Sequence, residues 1–258
     1  MRLADALSNR RCAGRAGFVP FITAGDPSLS ATRGYLEALS EVGADIIEVG
    51  VPFSDPVADG PVIQAADMRA LKGGASLVKV LDMIRACRLR GLEVPVVLFT
   101  YLNPIVALGF PAFSKRCAQA GVSGVLAVDL PVEESAALAS ALGKEGVELV
   151  LLASPTTTDE RLKAIGRQSG SIVYYVSREG VTGVRKGLAK DLAARLKKVR
   201  ALTGKPLIVG FGVARRAQAA ALAPHAAGVV AGSALVAAAA SGGKRGLIKA
   251  AREIIGGL

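Results

Sequence analysis

Residues 45–64 read DIIEVGVPFSDPVADGPVIQ, a short apolar run followed by a loop that its own residues shape. The run Ile46-Ile47-Glu48-Val49 carries a carboxylate between apolar neighbours. A charge there is costly to bury without a partner or a task. The loop holds Pro52, Pro56 and Pro61, Gly50 and Gly60, and two further carboxylates, Asp55 and Asp59. Proline fixes φ and glycine opens unusual backbone angles, so this segment is built to hold a shape. The structural alternative for the same residues is a buried ion pair at Glu48 with aspartates capping turns.

Working outward, the same pattern repeats along the chain: apolar run, turn, then a segment of helical period. The runs are Phe18–Thr23, Asp45–Val49, Val94–Thr100, Gly124–Val128, Glu148–Leu152, Ile172–Val176, Pro206–Val209 and Gly228–Ala231. Between them, helical spacing predicts helices over 30–42, 76–90, 111–120, 133–144, 158–168, 188–202 and 214–222. A short amphipathic helix precedes the first run over 1–9, and a helix over 244–255 closes the chain. Continuous apolar runs, not alternating ones, mark buried parallel strands. Eight such units in 258 residues predict a single α/β domain, a (β/α)8 TIM barrel spanning residues 1–258. The additional N-terminal helix lies outside the repeat. The doubly wound open sheet shares this alternation. Neither GxGxxG after the first run nor GxxxxGK[ST] occurs, which removes support for its nucleotide-binding form.

Composition narrows the chemistry. Hydrophobic residues make up 51% and aromatic residues 4%, so the core is aliphatic and rich in alanine. Lys and Arg exceed Asp and Glu by 32 − 21 = +11. The basic residues are scattered, with no run of five, no Trp and little aromatic interleaving, which argues against nucleic acid. Three cysteines, Cys12, Cys87 and Cys117, show no CxxC spacing and point to a reducing, cytoplasmic setting. With one histidine, His225, and no cysteine cluster, a metal site is not expected. Acid–base work therefore falls to carboxylates, Tyr or Lys. The N-terminus lacks the apolar core of a signal peptide, and no segment reads as a membrane span.

A barrel places its chemistry at the carboxyl ends of its strands. Those ends supply Phe21, Glu48, Thr100 and Tyr101, Asp129, Tyr174, Phe211 and Ser233, and the second loop adds Asp59. Three glycine-bearing turns fall late in the chain: Gly180–Gly183, Gly210–Gly212 and Gly232-Ser233. Barrels often bind phosphate where the last loops meet a short extra helix, here 234–240 after strand eight. Glycine lets backbone N–H groups approach an anion and the helix dipole favours it.

Seven segments give the chain a family likeness: PFITAGDP (20–27), IEVGVPFSDPVADGPVIQ (47–64), TYLNPI (100–105), DLP (129–131), SREGVTG (177–183), GFGV (210–213) and GSALV (232–236). Together they resemble the tryptophan synthase alpha subunits over nearly the whole chain. The resemblance implies a lyase of tryptophan biosynthesis, cleaving indole-3-glycerol phosphate by a retro-aldol reaction to indole and glyceraldehyde 3-phosphate. It implies catalytic roles for Glu48 and Asp59 and a supporting phenol at Tyr174. Phosphate contacts then fall on Gly183, Gly212, Gly232 and Ser233. Phe21, Tyr101, Asp129, Thr182 and Phe211 fall at the substrate pocket, with Thr182 on a segment that closes over substrate. The chain itself would need no cofactor. The resemblance also implies a beta subunit that carries pyridoxal phosphate, receives indole, forms an alpha2beta2 tetramer and meets Pro52, Asp55 and Pro56. A stand-alone lyase and a non-catalytic activator of the beta chain are the rival expectations. Leu102 and Phe99 depart from the residues frequent in the family, and Phe99 is expected to tighten the indole pocket.

Overall fold

The computed structural model describes residues 2–12, 15–176, 186–210 and 212–258. Nine parallel strand segments form one sheet: β1 (Gly17–Thr23), β2 (Ile47–Gly50), β3 (Val96–Thr100), β4 (Gly124–Ala127), β5 (Glu148–Leu149), β6 (Leu151–Ala153), β7 (Val173–Val176), β8 (Leu207–Gly210) and β9 (Gly228–Ala231). Their order is β5-β4-β3-β2-β1-β9-β8-β7-β6. The two outermost segments are consecutive in sequence, separated only by Val150. They are the two halves of one stave, so the sheet closes on itself as an eight-staved barrel, as the eight apolar runs predict.

Helices follow the staves: α1 (Leu3–Cys12) before β1, then α2 (Leu29–Glu41), α3 (Pro61–Lys72), α4 (Leu77–Leu89), α5 (Leu102–Leu108), α6 (Phe110–Ala120), α7 (Ala136–Lys144), α8 (Asp159–Gln168), α9 (Lys186–Thr203), α10 (Arg216–Leu222) and α11 (Ser233–Ile255). Ser28, Ser76 and Thr158 cap α2, α4 and α8, each side chain accepting a hydrogen bond from a backbone N–H of the first turn. Residue Gly243, at φ 55, interrupts α11, which is therefore two helices, the short one after the eighth run and the closing one. No helix among the described residues is long and apolar enough to cross a membrane.

Side-chain alternation sorts each strand into two faces. Phe18, Ile22, Ile47, Val49, Leu98, Val125 and Tyr175 join the layer between sheet and helices. Val19, Ile46, Val97, Leu126, Val150, Ile172, Tyr174, Ile208 and Val230 fill the barrel interior. Each fully buried aliphatic side chain contributes roughly 1.5–3 kcal/mol. The bottom is closed by α1, whose Leu3 and Leu7 join the interior cluster. The Leu3 N–H donates to Glu148 Oε1 at 2.9 Å and fixes that plug.

Two helices lie outside the sequence expectation. The loop reading extended to Gln64, but α3 begins at Pro61 with proline in its first turn. The second, α5, has only seven residues and contains Pro104. The expected helix over 133–144 divides into a short 3-10 turn, Val132–Glu134, and α7.

Candidate active site

Ile46 faces the barrel interior and its neighbours Ile47 and Val49 face the helices, so alternation turns Glu48 inward. Its register partners are Phe21 on β1 and Val97 on β3. Glu48 is fully buried, 0% exposed, and among the described residues neither carboxyl oxygen has a hydrogen-bond partner. Burial pushes its pKa up to about 8 from 4.5. The ion-pair reading of this residue is set aside: the structure supplies no cation to it among the described residues, and the carboxyl is carried as the neutral acid at neutral pH. Orphaned buried polar groups are rare and expensive, and one aimed into a barrel mouth is a mark of chemistry.

The linkage sign follows directly. The native carboxyl holds its proton up to about pH 8 and the unfolded one only to about 4.5, so folded chain binds more protons across that window. Stability therefore falls as pH rises from about 4.5 to about 8, with a slope up to about 1.4 kcal/mol per unit. Glu48→Gln removes this dependence. The melting temperature of the variant minus that of the wild type is expected to grow steadily from pH 5 to pH 8. A pH-independent difference contradicts the buried neutral acid.

Asp59 lies in the loop between β2 and α3, half-buried. The Tyr101 hydroxyl donates to Asp59 Oδ2 at 2.7 Å and accepts from the Ala58 N–H at 3.0 Å. The Phe53 ring stacks on Tyr101 with centroids 4.9 Å apart. Gln64, in the first turn of α3, donates to the Asp59 backbone carbonyl at 2.8 Å. Burial raises the Asp59 pKa, against the lowering effect of the Tyr101 hydrogen bond. The prolines and glycines of the loop thus deliver one carboxylate, held by a phenol from the next stave.

Tyr174 is buried in the barrel interior. Its hydroxyl pKa is raised first by burial, then by the charges of Glu48 and Asp59, so the two carboxyls and this phenol share one electrostatic neighbourhood. The close approach depends on Gly210 at the end of β8. A Cβ there would lie 2.7 Å from the Tyr174 hydroxyl and 3.2 Å from its ring. Gly210 therefore makes room for the phenol, a role its place among the late glycine turns did not reveal. Gly50 does the same for Phe21, whose ring atom Cζ would meet a Cβ at 2.5 Å. Phe21 packs edge-on against Phe99 at 5.1 Å, and these rings with Ile63, Ala66 and Val236 form an apolar wall over the barrel mouth. Gly210→Ala is expected to leave the fold intact and to lower turnover by roughly tenfold, through displacement of the phenol. Steady-state kinetics on folded variant, verified by circular dichroism, checks this.

The late glycines are placed in part. Gly232 caps α11 and lies beside Phe21, 3.6 Å from its Cβ measured to a Cβ built on the glycine. Ser233 opens that helix and is exposed, as is Gly212 on the loop after β8. This puts a helix N-terminus, with no side-chain cap among the described residues, on the rim that carries Phe21. Gly183, Thr182 and Phe211 lie outside the described residues. Asp129 follows β4, where its Oδ1 accepts the Leu102 N–H of α5 at 2.7 Å, so its carboxylate is engaged in helix capping. Of the proposed partner contacts, Asp55 is exposed and Pro56 half-buried, whereas Pro52 is buried in this chain.

One buried acid escaped the sequence reading. Asp67, on α3, is 4% exposed, and its pKa is pushed up to about 7. Burial is the main cause, and the charges of Asp59 and then Asp26 add to it. Its place inside an unrecognised helix hid the signal.

Comparison with known proteins agrees with this geometry. The family model described as Tryptophan synthase alpha chain matches residues 7–254. The tryptophan synthase alpha chain of Synechococcus elongatus is 44% identical over 253 residues, covering 98% of this chain and 95% of that one. The crystal structure of tryptophan synthase subunit alpha from Legionella pneumophila superposes with a TM-score of 0.90 at 34% identity, covering 99% and 97% of the two chains. A structure from Pyrococcus furiosus, described as the basis of mutual activation of the tryptophan synthase a2b2 complex, gives a TM-score of 0.86 at 39% identity, covering 93% and 98%. The barrel, its mouth and these likenesses agree, and the chain belongs to the tryptophan synthase alpha chain family, the lyases of tryptophan biosynthesis that cleave indole-3-glycerol phosphate to indole and glyceraldehyde 3-phosphate.

Proposed function

We propose that Glu48 and Asp59 divide the chemistry of this cleavage between them. The Glu48 carboxyl, protonated at neutral pH, donates its proton to C3 of the indole ring. The ring nitrogen takes the positive charge, and Asp59 accepts the N–H hydrogen bond and stabilises that charge. Glu48, now a carboxylate, takes the proton from the hydroxyl on the carbon attached to C3. The oxygen lone pair forms the aldehyde, the carbon–carbon bond breaks, and its electron pair returns to the ring. Indole leaves with a hydrogen at C3, glyceraldehyde 3-phosphate forms, and Glu48 is again protonated. The observation that carries this assignment is the fully buried Glu48 carboxyl, which has no hydrogen-bond partner among the described residues. A pKa near the working pH lets one group act first as acid and then as base.

Tyr174 supports the pair from the barrel interior. Phe21, Tyr101 and Phe211 enclose the indole, with Thr182 on a segment that closes over it and Asp129 at the rim. Gly183, Gly212, Gly232 and Ser233 hold the phosphate against the α11 N-terminus. A single barrel domain over residues 1–258 is enough for all of this, in the cytoplasm and without a cofactor of its own.

We further propose a beta subunit as partner, in an alpha2beta2 tetramer, carrying the pyridoxal phosphate that consumes indole. The loop of Pro52, Asp55 and Pro56 meets it. Val57, 86% exposed, and Val106, 55% exposed, follow adjacent staves on the same rim and support a docking face there. The test is an assay of indole-3-glycerol phosphate cleavage by the purified chain, alone and with added beta subunit. Marked stimulation is the expected result. A high rate unchanged by the beta subunit would identify a stand-alone lyase, and no cleavage in either case would overturn the assignment.

A further inference from the structure

The Asp59 carboxylate is held at its tip by the Tyr101 hydroxyl, at 2.7 Å. A second hold acts on its backbone. The Gln64 side-chain amide donates to the Asp59 carbonyl at 2.8 Å and lies 3.5 Å from the Pro56 carbonyl. Asp59 and Pro56 belong to one turn, closed by the Asp59 N–H donating to the Pro56 carbonyl at 3.0 Å. Gln64 is the fourth residue of α3. A helical side chain leans toward the N-terminus, so this amide reaches back over the start of the helix. There a donor is wanted. Pro61 has no N–H, and the first backbone donors of α3, Ile63 and Gln64, both go to the Gly60 carbonyl at 3.0 Å. The Asp59 carbonyl, one residue earlier, takes its bond from the side chain instead.

Helix α3 is a fixed support for that amide. Ala66 and Ala70 are fully buried, and Ile63 and Ala66 pack with Phe21. Arg69 holds Asp26, on the loop after β1, through two hydrogen bonds at 2.7 and 2.8 Å. Gln64 itself is exposed. A hydrogen bond within reach of water adds little to stability. A carboxylate carried on a loop, by contrast, must be held to within about half an ångström to act on a substrate. We propose that Gln64 is a positioning residue for the lyase reaction: by tying the Asp59 backbone to α3 it sets where the carboxylate starts from, while Tyr101 sets where it points. The proposal rests on Asp59 acting on the substrate, as argued above.

The test compares Gln64→Met and Gln64→Glu with wild type in the purified chain, using indole-3-glycerol phosphate. Methionine keeps the length of the side chain and loses the donor. It is expected to lower kcat roughly tenfold with KM changed less than about twofold, because the aim of Asp59 matters most as charge develops on the ring. Ionised glutamate cannot donate either, yet its charge suits a helix N-terminus, so kcat falls while the melting temperature holds. The glutamate variant carries the test if the methionine variant does not fold. In an Asp59→Asn background the Gln64→Met loss shrinks to about twofold or less, since the charge it aims is gone. Unchanged kcat in both single variants, a loss carried by KM alone, or an undiminished loss in the Asp59→Asn background each overturns the proposal. Asp59→Asn alone separates the two levels. If it is inactive while Gln64→Met is normal, the catalytic role of Asp59 stands and only the positioning role falls. If Asp59→Asn turns over normally, the reading of Asp59 falls and the proposal with it.

Discussion

Glu48→Gln is expected to lower the rate of indole release by about 10³-fold or more, while the KM for indole-3-glycerol phosphate changes little. The substitution keeps the shape and neutrality of the protonated side chain, so the packing of β2 survives. It removes the one proton that can move between the substrate hydroxyl and C3. Nothing else described at the barrel mouth replaces it: Tyr174 has its hydroxyl pKa raised far from neutrality by burial and by both carboxyls. The wild-type rate should also depend on pH, falling as Glu48 loses its proton near pH 8, and that limb should vanish in the variant. Initial-rate measurements from pH 6 to pH 9 on both proteins check the expectation. Near-normal turnover by the glutamine variant would remove Glu48 from the mechanism.

Asp59→Asn is the second large effect, expected at roughly 10²-fold or more on kcat. Asparagine can still meet Tyr101 and the indole N–H, so geometry is largely kept. What is lost is the negative charge opposite a ring that becomes positive, in surroundings dry enough to raise the Asp59 pKa. A charge placed where charge develops is worth most in such a site. Because burial raises that pKa, activity should fall on the acid side as Asp59 takes up a proton, and this acid limb should be missing in the variant. Unchanged kcat in Asp59→Asn would separate the loop from the chemistry.

The barrel was legible because its strands are short, apolar and separated by helical periods of ordinary length. Closure was expected from the count of eight units, and the structure shows it at the stave over 148–153, whose two halves, interrupted at Val150, pair with different neighbours. Glu48 stood out as a charge in an apolar strand, and Asp59 as a carboxylate in a loop stiffened by proline. The roles of Gly210 and Gly50 were hidden, since close approach to a ring on another stave leaves no mark in local sequence. Asp129 also accepts the Leu102 N–H at the start of α5, a bond its strand-end position could not foretell. The helix α3 was masked by Pro61, a turn signal that also opens helices, and Asp67 was lost with it.

The most direct test is a crystal structure of the Glu48→Gln chain with trapped indole-3-glycerol phosphate. The ring C3 should lie about 3–3.5 Å from the residue-48 side chain, and an Asp59 oxygen within about 3.2 Å of the indole nitrogen. The phosphate should rest on the rim at Gly232 and Ser233. An indole bound out of reach of either position, or a phosphate gripped at the opposite end of the barrel, would contradict the account.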